Sequence, residues 1–220
     1  MILLAIDTSS VSGSIALASA NENLTDFKII YQQYLSINIT HSETLLPEID
    51  NAFKKNKLDI NQLSAVLVSI GPGSFTGIRI GLATAKGICT GLKIPLIPFN
   101  TLELLATNVY GTERQILSLI DARMNEAYIS IYNHNLSIEL PAELRPYDQI
   151  CKDLNEKYLC VGHTHLITNN NDNFAFALAH QNIINASSMF SLLIYHNLPI
   201  EYNPEIINNT EPTYIRNSTN

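Results

Sequence analysis

Cysteine is scarce in this chain: Cys89, Cys151 and Cys160 are the three it has. An odd number with no C-x-x-C spacing supplies neither a disulfide framework nor a zinc site. Basic residues are few as well, 13 Lys and Arg against 20 Asp and Glu, for a net charge of −7. That balance argues against this chain gripping a nucleic-acid backbone alone, so service to RNA would run through a partner. No apolar run approaches the ~18 residues of a membrane span, and the first seven residues read as a strand, without the basic n-region or cleavage site of a signal peptide. A cytoplasmic protein is the simplest expectation. H-E-x-x-H and G-x-S-x-G are missing too, and no triad has a defensible spacing, which sets hydrolase chemistry aside.

What is present is enough apolar material, 46% of 220 residues, for one domain or two small ones. The most informative stretch is the block around Gly71-Pro72-Gly73. Ala65 to Ile70 is a short β-branched run that reads as a buried strand. The glycines stop it, Ser74 is placed to cap a helix, and the helix runs from about Phe75 to Thr90. Along it Gly77, Gly81 and Ala85 recur every four residues, leaving one nearly bare face that another helix could approach closely. A glycine-rich turn opening a helix also invites phosphate. Here, however, Thr76 stands where a dinucleotide fingerprint needs its third glycine, and no G-K-[ST] follows, so tight packing is the preferred reading. Arg79 and Lys86 read as solvated.

The remaining elements follow from local signals. Met1 to Asp7, Gly13 to Ala18 and Phe27 to Leu35 form a strand meander. Thr40 with Glu43 makes a capping-box pattern, and Leu45, Leu46, Ile49 and Phe53 form an apolar stripe on a helix from His41 to Lys54, with Pro47 early in it or kinking it. A strand near Ile94 to Phe99 and a helix opened by Asn100 with Glu103 complete a βββαβαβα order, which implies a mixed sheet flanked by helices. In the second half Tyr158 to Gly162 reads as a strand, Asn169 to Asn173 as a polar loop and Ala186 to His196 as a helix. The tail from Asn208 is expected to end in disorder, apart from Glu211 to Arg216.

The second half also begins like the first. Setting Asp121 against Asp7 aligns Leu117–Asp121 with Leu3–Asp7, and Tyr128–Tyr132 with Ser14–Ala18, without a gap. Each copy has an apolar strand ending at an aspartate, a polar turn, and a strand coming back. A duplicated α/β unit is expected, divided as lobes 1–100 and 101–220, the second smaller. This is the plan of the actin/Hsp70/sugar-kinase-like (ribonuclease H-like) fold, whose two loops hold nucleotide phosphates.

Five stretches carry a closer resemblance: Asp7-Thr8-Ser9, His41 to Pro47, Ser69 to Arg79, Asp121-Ala122-Arg123 and Glu211 to Arg216. From Met1 to Arg216 the chain resembles the TsaB family, also called YeaZ. The resemblance implies a subunit of the bacterial machinery that places threonylcarbamoyl on N6 of a tRNA adenosine. Catalysis there belongs to a paralogue, TsaD, which binds metal and the threonylcarbamoyl-adenylate, with the ATPase TsaE assisting. The implied role here is non-catalytic support of TsaD as a heterodimer, with homodimers when the partner is absent, tRNA met only through the complex, and no cofactor of its own.

The residues agree with that role. The paralogue's metal motif is H-x-x-x-H, and here His41 is followed by Leu45 in the second slot, so no metal site is expected. His163 and His165 stand two apart, and no carboxylate or cysteine is expected to complete a metal cluster with them. Thr8 and Ser9 occupy the first loop where glycine would let a phosphate approach. Asp7, Thr8, Ser9, Gly71, Gly73 and Asp121 are therefore candidate vestigial phosphate loops, the aspartates ending their strands by bonding to their own turns in preference to holding Mg²⁺ through water. The resemblance implies that the helices at 41–54 and 75–90 bundle with the partner's, which makes His41, Leu45, Leu46, Ile49, Phe53, Phe75, Gly77, Ile78, Gly81, Leu82 and Ala85 the candidate interface; the competing reading is that they face their own sheet. The main rival function is a stand-alone ATPase or kinase of this fold, followed by a glycoprotease-like hydrolase.

Overall fold

Near-continuous apolar runs such as Leu3–Ile6 and Ala65–Val68 are what strands buried on both faces require, and both sit at the centre of a sheet in the computed structural model. The structure describes residues 1–35, 41–154, 156–167 and 172–215. The Thr40 capping box, most of the 169–173 loop, Arg216 and the last residues of the tail lie outside them.

The first sheet contains β1 (Ile2–Asp7), β2 (Ser14–Ala20), β3 (Phe27–Tyr34), β4 (Leu63–Ser69) and β5 (Leu96–Phe99), in the order β3-β2-β1-β4-β5. β1, β2 and β3 pair antiparallel, and β1, β4 and β5 parallel. The second contains β6 (Gln115–Arg123), β7 (Glu126–Tyr132), β8 (Ile138–Pro146), β9 (Tyr158–Gly162) and β10 (Phe174–Phe176), in the order β10-β9-β6-β7-β8 with the same senses. Reading β6 for β1 and so on, the two sheets are one topology used twice. The gap-free alignment of the copies needs one correction. β1 and β2 pair Asp7 with Ser14, whereas β6 and β7 pair Asp121 with Ala127. The second turn is one residue shorter, and a one-residue slip exchanges the faces of a strand.

Helices α1 (His41–Lys55) and α2 (Phe75–Leu92) lie against the first sheet, Leu45, Ile49, Ala52 and Phe53 of α1 entering one core with Ile6, Ile15, Val66, Leu82 and Ala85. Ser74 caps α2 by accepting the Gly77 N–H at 3.2 Å. α3 (Thr101–Thr107) is capped by Asn100, which accepts the Leu102 N–H at 2.8 Å. α4 (Tyr147–Asp153) sends Ile150 into the second core with Leu117, Ile129 and Cys160.

Two compact units result, Met1–Phe99 with Asn185–Pro212, and Asn100–Ile184 with Thr213–Asn220. This differs from an uninterrupted division at residue 100. The returning segment is anchored to the first unit by side chains that spacing does not reveal: the Ala186 N–H donates to buried Ser14 Oγ at 2.9 Å, Phe190 of α5 (Ser188–Tyr195) packs its ring 5.6 Å from that of Phe27, and Ile207 of α6 (Pro204–Asn209) joins the first core.

Candidate functional site

The loops that would hold phosphate in a relative of this fold are the natural place to look, and in the first unit the loop is filled by the protein itself. β1 delivers Asp7, Thr8 and Ser9 fully or almost fully buried beneath the turn that opens α2. Thr8 Oγ1 donates to the Gly77 carbonyl at 2.8 Å, and the Ser74 N–H donates to the Ser9 carbonyl at 2.7 Å. The amide that would greet an anion at the start of α2 thus has a main-chain oxygen instead. Gly71, at the start of that turn, is buried. A Cβ on Gly73 would lie 2.4 Å from the Ser9 carbonyl oxygen.

The bare face of α2 has the same explanation. A Cβ on Gly77 would lie 2.0 Å from the Thr8 carbonyl oxygen, and one on Gly81 would lie 2.1 Å from Thr8 Oγ1. These glycines admit the β1–β2 turn of their own chain. Of the candidate interface residues, Leu45, Ile49, Phe53, Gly77, Ile78, Gly81, Leu82 and Ala85 are all buried within the first unit, and the side chains of Leu45, Ile49, Phe53, Leu82 and Ala85 join its core. Helical periodicity identifies an apolar face but not the neighbour that covers it. Leu46 and Phe75 remain outside, 56% and 55% exposed. His41 is half-buried, its Nε2 lying 2.9 Å from the Ser10 carbonyl, and ties α1 to the β1–β2 turn.

Asp7 accepts through one oxygen from Ser69 Oγ at 2.5 Å, Ser9 Oγ at 2.6 Å and the Ser9 N–H at 3.2 Å, while its buried Oδ2 has no partner. Burial pushes its carboxyl above the ordinary range, against the lowering effect of the Ser69 and Ser9 bonds and nearby His41. The sign follows. The unfolded chain loses this proton near 3.8 and the folded one only above that, so ionising Asp7 erodes stability as pH rises through that window. Asp7→Asn keeps the accepting oxygen and cannot ionise. Relative to wild type it is expected to gain stability as pH rises from about 3.5 to 7, measured by urea unfolding; a relative loss over that interval would contradict the assignment.

The second unit's turn is built differently. Asp121 Oδ1 accepts the Arg123 N–H at 2.6 Å and the Tyr147 hydroxyl at 2.8 Å, and the Arg123 guanidinium lies 3.3 Å from Oδ2. Partial burial works to raise this carboxyl, but the Arg123 amide, the Tyr147 hydroxyl and the charges of Arg123 and His163 outweigh it and hold it below the ordinary range. Tyr147 is pushed up to about 12 by burial and by its bond to Asp121. Sequence spacing put no carboxylate beside His163. The parallel pairing of β6 with β9 does, because the Asp121 N–H donates to His163 Nδ1 at 2.9 Å. Among the described residues no group of three or more His, Cys, Asp or Glu is arranged to hold a metal ion.

Comparison with known proteins supplies the family. A model described as TsaD, tRNA N6-adenosine threonylcarbamoyltransferase, matches residues 36–144. The tRNA threonylcarbamoyladenosine biosynthesis protein TsaB of Buchnera aphidicola (subsp. Schizaphis graminum) is 30% identical over 170 residues, which is 73% of this chain and 78% of that protein. The chain belongs to the TsaB family. The TsaB protein of Haemophilus influenzae is 37% identical over 130 residues, 58% of this chain and 52% of that one, so the chain spans about half the length of that relative. In structure it is similar to YeaZ from Pseudomonas aeruginosa, with a TM-score of 0.74 at 21% identity over 97% of this chain and 99% of that one. A second Pseudomonas aeruginosa protein, described as similar to peptidase YEAZ, gives a TM-score of 0.77 at 22% identity over 98% and 99%. At these identities the structural likeness speaks for the fold. TsaB membership and the doubled sheet together give the α/β, actin-like plan.

Proposed function

We propose that this chain is a non-catalytic subunit in the formation of threonylcarbamoyladenosine on tRNA, acting by binding a TsaD-type paralogue that carries the chemistry. The observation that carries the reading is the filled first turn: the Ser9 carbonyl accepts the Ser74 N–H at the start of α2, Thr8 Oγ1 donates to the Gly77 carbonyl, and one Asp7 carboxylate oxygen accepts from Ser9 and Ser69. A relative of a threonylcarbamoyltransferase whose phosphate loop is occupied by its own main chain is suited to scaffolding. The surface offered to the paralogue is the exposed side of the first unit at Leu46 and Phe75, joined by Val11 of the β1–β2 turn at 68% exposure. His41 links that turn to α1 and Thr8 links it to α2. A TsaE-type ATPase completes the assembly, homodimers use the same surface when the paralogue is absent, and tRNA is met through the complex.

Reconstitution tests this. Purified TsaD-type and TsaE-type partners with ATP, threonylcarbamoyl donor and tRNA are expected to modify adenosine only when this chain is added, while the chain alone shows no ATP turnover and no micromolar heat of ATP–Mg²⁺ binding. Full modification without it, or turnover by it alone, would overturn the proposal.

A further inference from the structure

His163 follows β9 and is tied twice to β6. Its main-chain N–H donates to the Leu119 carbonyl at 2.9 Å, and its ring Nδ1 accepts the Asp121 N–H at 2.9 Å. The second bond settles the tautomer. An amide N–H can be donated only to a ring nitrogen without a proton, so Nδ1 is bare and the neutral imidazole carries its proton on Nε2. The ring thereby adds a side-chain rung to the parallel β6–β9 ladder, beyond the pairing of Leu119 with Gly162.

What the rung holds is a turn with little slack. Arg123, Met124 and Asn125 have φ of 70°, 52° and 63°, a left-handed run that non-glycine residues rarely adopt. Asp121 Oδ1 steadies its start, and the Tyr147 N–H donates to the Asn125 carbonyl at 3.0 Å at its far side. At its tip the Arg123 side chain is 84% and Met124 93% exposed.

We propose that His163 is a pH-sensitive latch on this turn: a proton taken at Nδ1 sets donor against donor at the Asp121 N–H, breaks the rung and releases residues 121–125 from β9. The groups facing the ring set its working range. Asp121 and Arg123 face it from β6, and His165 lies with its ring centroid 5.7 Å away. Tyr147 of α4 acts through Asp121, and Asn182 holds the neighbouring Gly162 N–H at 2.9 Å. Burial, His165 and Arg123 oppose the proton and Asp121 favours it, with the net effect downward from 6.5. The latch is therefore closed at neutral pH. Because the unfolded chain takes up this proton first, the latch's contribution to stability is complete above 6.5 and is lost as pH falls below it.

The test uses the full chain. Long-range imidazole ¹⁵N spectra at about pH 8 are expected to show His163 protonated at Nε2 and bare at Nδ1. The Asp121 amide, corrected for intrinsic exchange, should lose about tenfold or more of its protection between about pH 7.5 and 5.5. His163→Asn, whose Oδ1 stands in for Nδ1 and does not titrate, should hold that protection constant. His165→Asn should keep the transition and move its midpoint upward. A proton on Nδ1 at pH 8, an equal loss of Asp121 protection in His163→Asn, or an unchanged midpoint in His165→Asn would overturn the latch.

Discussion

Gly77→Ala is expected to destabilise the protein by about 3 kcal/mol, and a change elsewhere in the chain will not restore it. In an ordinary helix the substitution would gain about 1 kcal/mol from propensity. Here the new methyl would sit 2.0 Å from the Thr8 carbonyl oxygen, and a main-chain oxygen at the end of a buried central strand has nowhere to go. Gly81→Ala differs in one respect that makes it a sharper test. Its obstruction is a side-chain atom, Thr8 Oγ1 at 2.1 Å, with Thr8 Cβ at an ordinary 3.4 Å. Gly81→Ala alone should cost about 2 kcal/mol, and Thr8→Ala alone about 1 kcal/mol for the lost hydrogen bond to Gly77. Combined, they should return to within about 1 kcal/mol of wild type, because the clash is gone and the helix gains an alanine. Urea unfolding of the four proteins of this cycle gives the coupling. A stabilised Gly81→Ala, or an additive double variant, would show that α2 does not rest on the β1–β2 turn.

The second large effect concerns the surface rather than the core. Leu46→Asp with Phe75→Asp is expected to weaken binding to a TsaD-type partner by about 100-fold or more, since apolar anchors at the centre of an interface each carry about 2 kcal/mol. The fold should tolerate both. More than half of each side chain is exposed, and an acid at position 75 meets the favourable end of the α2 dipole. The loss to the protein itself is the stacking of the Arg79 guanidinium 3.6 Å above the Phe75 ring, worth about 0.5–1 kcal/mol at an exposed site. Ile138→Asp, 61% exposed on β8 in the second unit, serves as the control and should leave affinity unchanged. Calorimetric titration that finds the double variant within threefold of wild type would place the interface elsewhere.

Much of the fold was legible because its signals are local. Ser74 and Asn100 cap helices where their hydroxyl and amide groups suggested, and the 45–49–53 stripe of α1 enters a core as its spacing requires. The elements that escaped are instructive. β8 carries Pro141 and Pro146, which argue against a strand until the sheet order places it at an edge, where a missing N–H costs little. β10 is three residues long and exists through its pairing with β9. α6 did carry a signal, Asn203 accepting the Glu205 N–H ahead of Pro204 at the first turn, but six residues give periodicity too little length to register. The candidate site was harder to read. The glycines of α2 announce a close approach without saying by what, and His163 lies 42 residues from the amide it receives.

The sequence by itself determined the duplicated hairpins, the capped helices, the family and the excess of acidic over basic residues, because caps, turns, periodicity and charge act over a few residues or over the whole composition. Only the tertiary structure decided that Thr8 fills the groove of α2, that residues 185–212 return to the first unit, and that an imidazole closes the second turn. Each of these joins groups far apart along the chain, and which distant group meets which is set by sheet order and packing rather than by any spacing in the sequence.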